Sequence, residues 1–413
     1  MKIKPSFNVW NIGKWLLVAC ILWSPLVGVN DLIDAFAGVE NTLTLKTGPF
    51  TRIVRDSLIV LFYLYFFWAA VLSNRIKWKI NNNSFLLLIL SFISLLSILL
   101  SSWYSLIILK VPQIAVFLGL KTFIYAPLFL ISYVFLMNYP EALLAIRRSA
   151  LLVLVFEVVL GLIQVRFMPP MLGGSILGSY PIGTFTHYNI YGSFLCLFLF
   201  AHLFINNFRI PNLLLGLIIF LIIASGSRQS ILVFFFLVGL WYFQNYAKGY
   251  LERGMLVSIF PLILFLAFFV LSIITQRGFL GWGHEQVGLQ GDPRWQIWAN
   301  YLGRDLTFSQ VTLGSGVGLA SSAVTVFLGH NFFKGQFIAD SMHLALLAQY
   351  GLIGLFFIYL TLFCFLCEYY KSIGLIFMGV IGLYGFGLNF FEVYPANMLF
   401  PIILSMHRIR YSS

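Results

Sequence analysis

The segment NLLLGLIIFLIIASGSRQSILVFFFLVGLWYF, residues 212–243, decides the fold of this chain. Two apolar runs without a single charge flank the break SGSR at 225–228. Backbone in hydrocarbon must satisfy its own N–H and C=O groups, so such runs read as membrane helices. The run from Asn212 to Ser225 reaches only about 21 Å at 1.5 Å per residue, against a hydrocarbon thickness of about 30 Å. Arg228, at the turn, is therefore expected to lie recessed below the outer surface. A guanidinium at mid-depth costs at least ~2.5 kcal/mol, so it needs a carboxylate, a polar cavity or an anionic ligand. Snorkelling towards the head groups is the alternative. A phosphate is a fitting partner, because the guanidinium fork matches its oxygens in pairs.

The rest of the chain repeats the pattern. Its 413 residues are 61% hydrophobic and 9% charged, where soluble domains carry about 25% charged residues, and mean hydropathy is +0.95. Runs able to cross the hydrocarbon number about twelve. They are expected at 15–30, 54–73, 84–102, 122–138, 149–166, 183–205, 212–225, 229–243, 254–275, 341–370, 372–388 and 396–407. The expected fold is all-α and polytopic, with residues 1–413 forming one transmembrane domain. Residues 276–340, the long polar interval between the ninth and tenth runs, are expected to be a loop outside the cytoplasm.

Charge sets the orientation. Lys2, Lys4 and Lys14, then Arg75, Lys77 and Lys79, Arg147 and Arg148, Arg209, Lys248 and Arg253, Lys371, and Arg408 and Arg410 fall on one side. By the positive-inside rule that side is cytoplasmic, with both termini inside. Part of the net charge of +12 thus answers an anionic leaflet, and a nucleic-acid partner is excluded. Cys20, Cys196, Cys364 and Cys367 lie in apolar runs and read as small hydrophobes, with no metal site expected. Glu157, alone in an apolar run, must be protonated or paired, and a structural hydrogen bond is expected.

The chemistry-bearing residues gather on the other side. In GDPRWQIWANYLGRDL (291–306), Asp292 reads as an N-cap and Pro293 as the first residue of a short helix. Trp295, Trp298 and Leu302 share a face suited to the membrane interface, and Arg294 lies near an N-terminus that favours anions. Gly314, Gly316 and Gly318 in LGSGVG (313–318) permit a sharp turn and close approach of backbone amides to a ligand. No strand precedes them, which excludes a dinucleotide fingerprint. Asp340 and His343 share a face at the start of the tenth run, where Asp340 either caps the helix or takes a proton from an attacking hydroxyl. His187 in GTFTHYN (183–189) and Glu392 in FFEVYPAN (390–397) belong to the same face.

In their order, these elements resemble the O-antigen polymerase and ligase superfamily. GTFTHYN, SGSR, RWQIW (294–298), LGSGVG and DSMHLALLAQYGLIG (340–354) carry the resemblance, over the second half of the chain. It implies a GT-C-like membrane glycosyltransferase in a bacterial cytoplasmic membrane, with its active site facing the periplasm. The implied donor and acceptor are undecaprenyl-pyrophosphate-linked oligosaccharides, with no cofactor and no obligatory metal, and a chain-length regulator in the same membrane is an implied partner. Asp340, His343, Arg228 and Arg294 would be catalytic. His187, Asn189, Gly314, Gly316, Gly318, Ser341 and Glu392 would bind substrate. Ligases of the family carry His-Asn where this chain has Asp340-Ser341, a departure that favours a repeat-unit polymerase. A ligase working on lipid A core is the alternative. A flippase or secondary transporter shares the span count, but would place its polar residues near the bilayer midplane.

Overall fold

The computed structural model describes residues 10–28, 49–73, 84–167, 180–185, 188–246, 306–321, 341–385 and 394–408, with Ile297, Tyr301, Val324 and Leu328. Every regular element among them is helical. In chain order they are α1 (Trp10–Trp23), α2 (Pro49–Ser73), α3 (Ser84–Ile107), α4 (Gln113–Leu120), α5 (Leu128–Asn138), α6 (Ala142–Phe167) and α7 (Tyr188–Phe204). Then follow α8 (Asn212–Ala224), α9 (Arg228–Tyr246), α10 (Phe308–Leu313), α11 (Met342–Tyr370), α12 (Ser372–Gly385) and α13 (Ala396–Ser405). Five stretches are long and apolar enough to cross a membrane: Thr51–Val71, Leu87–Ile107, Gln113–Asn138, Ala142–Phe167 and Met342–Tyr370. α7, α8, α9 as far as Tyr242, α12 and α13 are apolar but shorter. The run at 254–275 and most of the interval 276–340 lie outside the described residues.

Two boundaries differ from the sequence reading. The stretch expected as a loop at 103–121 is mostly helical: α3 runs to Ile107, and α4 starts after Pro112. A 3-10 turn, Lys121–Tyr125, then leads to Pro127, after which α5 begins. Proline has no N–H to give the ladder, so Pro112 and Pro127 stand at the starts of α4 and α5. α1 starts earlier than expected, and its α geometry tightens to a 3-10 turn, Ser24–Gly28, that contains Pro25.

The chain forms two compact units. The first comprises Met1–Lys79, Tyr125–Ile231 and Tyr394–Ser413. Here α1 packs on α2 and α6, α13 on α5 and α7, and α8 on α6 and α7. Ser132 of α5 and Ser405 of α13 hydrogen bond at 2.7 Å beside Pro401. The second unit comprises Ile80–Ile124 and Leu232–Val393, where α11 packs on α3, α10 and α12.

A serine stripe explains the α3–α11 pairing. Ser94, Ser97, Ser101 and Ser105 recur at helical spacing and are all buried. Ser94 Oγ donates to the Phe357 carbonyl at 2.8 Å and pairs with Thr361 Oγ1 at 2.7 Å. Small hydroxyl residues let two apolar helices approach closely and hydrogen bond across the seam, which Leu could not do. The opposite face of α3, with Leu88, Phe92, Leu95, Leu99 and Trp103, is exposed.

Candidate functional site

In the first unit, Arg228 opens α9 and is exposed. Gly226 before it has φ +65, and a Cβ there would meet the Tyr180 ring at 2.3 Å, so the turn requires glycine. Ser225, Ser227 and Ser230 around it are fully buried. The Ser230 amide donates to Ser227 Oγ at 3.3 Å, and Ser230 Oγ donates to the same atom at 2.8 Å. Ser227 thus caps α9 and fixes the place where Arg228 emerges. The guanidinium leaves from a helix N-terminus, whose dipole favours an anion.

The GTF turn before α7 is held from α6. Glu157 accepts from the Thr184 amide at 2.9 Å and from Thr184 Oγ1 at 2.5 Å. Two turns further on, Gln164 Oε1 accepts from the amides of Ile182 and Gly183 at 2.9 and 2.7 Å, while its Nε2 donates to the Gly183 carbonyl at 2.7 Å. Glu157 is therefore a clamp on non-helical backbone, matching the structural hydrogen bond read from sequence. Asn189, in the first turn of α7, is buried.

In the second unit the glycine-rich turn meets a kink. α11 breaks at Gly351, with φ 66 and ψ −173. The Ser315 amide donates to the Ala348 carbonyl at 2.7 Å, the Gly318 amide to Gln349 Oε1 at 2.9 Å, and the Val317 amide to Ser105 Oγ at 2.8 Å. A Cβ at Gly314 would lie 2.3 Å from the Gln349 carbonyl oxygen, and one at Gly318 2.4 Å from that of Ala115. The sequence suggested amides approaching a ligand. Those of Ser315, Val317 and Gly318 approach α3 and α11 instead, and the glycines permit that backbone contact.

Ser341, not Asp340, is the N-cap of α11: its Oγ accepts from the Leu344 amide at 3.3 Å and donates to the Gly385 carbonyl at 2.7 Å. His343 Nδ1 pairs with the Tyr359 hydroxyl at 2.5 Å, and Nε2 lies 3.1 Å from the Gly382 carbonyl. A carbonyl only accepts, so Nε2 carries the proton and Nδ1 accepts from Tyr359. Both ring nitrogens are engaged. Ile297, Leu306 and Leu347 pack on a buried cluster of Tyr301, Ala320, Leu344, Ala345 and Ala348, and Tyr301 pairs with Ser315 Oγ at 3.0 Å. Ile297 and Tyr301 thus belong with the start of α11, whereas the face read as interfacial, Trp295, Trp298 and Leu302, lies outside the described residues. So do Arg294, Asp340, His187 and Glu392.

Sequence reading missed one charged cluster in the first unit. Arg55 Nε donates to Asp56 Oδ1 at 2.7 Å, and the Tyr125 hydroxyl donates to the same oxygen at 2.9 Å. The guanidinium lies 4.6 Å from the Tyr394 ring centroid and 5.8 Å from that of Tyr125. Burial pushes the Tyr394 phenol upward, with Arg55 opposing, so it stays neutral. The available signal was an Arg-Asp pair one turn inside an apolar run. Comparison with family models, curated proteins and solved structures finds no match to this chain.

Proposed function

We propose that this chain is a membrane glycosyltransferase that polymerises undecaprenyl-pyrophosphate-linked oligosaccharide repeat units at the outer face of a bacterial cytoplasmic membrane. The observation that carries the reading is Arg228, exposed at the start of α9 behind a turn of buried serines that joins two apolar helices. A guanidinium at a helix N-terminus suits a pyrophosphate leaving group.

A sugar hydroxyl of one lipid-linked unit attacks the anomeric carbon of another. The new glycosidic bond forms as the bond to undecaprenyl pyrophosphate breaks, and the hydroxyl proton passes to a base. Arg228 neutralises the charge that grows on the departing pyrophosphate, where positive charge contributes most, and the resemblance implies the same role for Arg294. Asp340 takes the proton. His343 holds Tyr359 and Gly382 and so positions the first turn of α11. The packing of Ile297 and Tyr301 on Leu344 and Ala345 supports placing the segment after Arg294 beside the segment after Asp340.

Chain extension of purified lipid-linked single repeats, without a core acceptor, tests the reading. Arg228→Ala, Arg294→Ala and Asp340→Ala are expected to leave single repeats unextended. Normal polymer from all three refutes the assignment, and product formed only when a lipid A core acceptor is added points to a ligase.

A further inference from the structure

Arg55 has no role in the mechanism above, yet it is a charged side chain on the inward face of an apolar helix. Arg55, Ile59, Phe62, Phe66 and Ala69 recur at spacings of four and three, and the last four are buried. The other face of α2, with Ile53, Val60, Leu64, Phe67 and Val71, is exposed. Arg55 therefore turns away from the surface that hydrocarbon would cover. Charged residues placed so mark substrate or ion paths.

Its hydrogen bonding is incomplete among the described residues. Among the described residues only Asp56 accepts from the Arg55 guanidinium, and it does so from Nε. Asp56 Oδ1 is shared with the Tyr125 hydroxyl, and Tyr394 and Tyr125 flank the guanidinium. The Arg55 side chain is 11% exposed. The Nη1 and Nη2 edge, which presents paired donors, thus has no acceptor among the described residues, on a side chain that is mostly buried. That edge fits an oxyanion offering two oxygens. Arg55 lies about 6 Å along the helix from Thr51, where the apolar span begins, and so one turn inside the end of that span.

We infer that the Nη edge of Arg55 binds the phosphate of a second lipid-linked substrate, separate from the pyrophosphate that Arg228 holds. Naming that lipid rests on the proposed function, since joining two lipid-linked units requires two anchors on one membrane face. The packing neighbours are consistent with two sites: α2 packs on α1 and α5, whereas the turn before Arg228 packs against Tyr180 and α7.

The test counts lipids. The purified full-length protein in phosphatidylcholine nanodiscs is titrated with sugar-free undecaprenyl pyrophosphate and examined by native mass spectrometry. The wild type is expected to hold two molecules per chain. Arg55→Lys and Arg55→Gln, both able to keep a donor on Asp56, are expected to hold one, with the second weakened at least about tenfold. Arg228→Ala is expected to lose the other molecule, and the double variant both. Unchanged binding by both Arg55 variants overturns the inference. So does competition by phosphatidylglycerol at equal concentration, which assigns the edge to bulk lipid. Loss of both molecules by Arg55→Gln together with a lowered melting temperature also overturns it, by making Arg55 a folding element. If lipid-linked repeats are never extended but Arg55→Lys still drops one molecule, the polymerase reading fails and the phosphate site stands.

Discussion

Gln349 Oε1 accepts the Gly318 amide at 2.9 Å, two residues before α11 kinks at Gly351. The glycine-rich turn and the kink hold each other: a Cβ at Gly351 would stand 2.2 Å from the Thr312 carbonyl oxygen. A helix interrupted in an apolar setting needs outside partners for its freed groups. The turn supplies the Ser315 amide to the Ala348 carbonyl. Gln349→Leu strands the Gly318 amide and is expected to destabilise the second unit by about 1–3 kcal/mol. Gly351→Ala adds left-handed strain of about 1–3 kcal/mol to the clash with Thr312. Thermal unfolding in detergent reads both. An unchanged melting temperature for Gln349→Leu, with weakened substrate binding, would return the turn to the ligand.

His343 and Asp340 separate by substitution. Glutamine can accept from Tyr359 through Oε1 and donate to the Gly382 carbonyl through Nε2, the same two bonds that His343 makes. His343→Gln is expected to keep polymerisation within about tenfold of wild type, whereas Asp340→Asn loses the ~10²–10⁴-fold contribution of a general base. The ratio of the two initial rates of chain extension is the measurement. A larger loss from His343→Gln than from Asp340→Asn reverses the roles.

Glu157 gives a second structural test. Glu157→Leu leaves the Thr184 amide and hydroxyl without their acceptor, with an expected loss of about 1–3 kcal/mol for the stranded groups. Glu157→Gln retains one acceptor oxygen and gains a donor for Thr184 Oγ1, so it is expected to recover most of that loss. Melting temperatures of the two variants decide, and equal values would remove the clamp from the account.

Hydropathy made the helices legible because hydrocarbon imposes the same demand on every residue of a span. It also read α11 as one continuous run, because Gly351 is as apolar as its neighbours and its φ is set by a turn some thirty residues earlier in sequence. The serine stripe of α3 escaped for a related reason: its partners, Phe357 and Thr361, are remote in the chain. At the candidate site, residue type indicated where polar chemistry gathers, and contacts decided what each group does. Ser341 and His343 proved to be committed to Gly385, Tyr359 and Gly382. Arg55 is not legible in the sequence because a charge at the first turn of a span looks like flanking sequence until its face is known.

Arg228→Lys distinguishes recognition from charge. Lysine keeps the positive charge at the start of α9 and changes no part of the cap formed by Ser227 and Ser230. It replaces a planar fork with a point charge, so paired contacts to phosphate oxygens are lost while Coulomb attraction remains. If Arg228 serves only to balance charge or anchor α9, Arg228→Lys extends lipid-linked repeats at the wild-type rate. If it grips pyrophosphate through two donors, the rate is expected to fall at least about tenfold, a loss of roughly 1.4 kcal/mol of transition-state stabilisation. The melting temperature should not move in either case, because the guanidinium is exposed. Weaker retention of sugar-free undecaprenyl pyrophosphate by Arg228→Lys, at an unchanged melting temperature, would place the loss in the contact with the leaving group rather than in the fold.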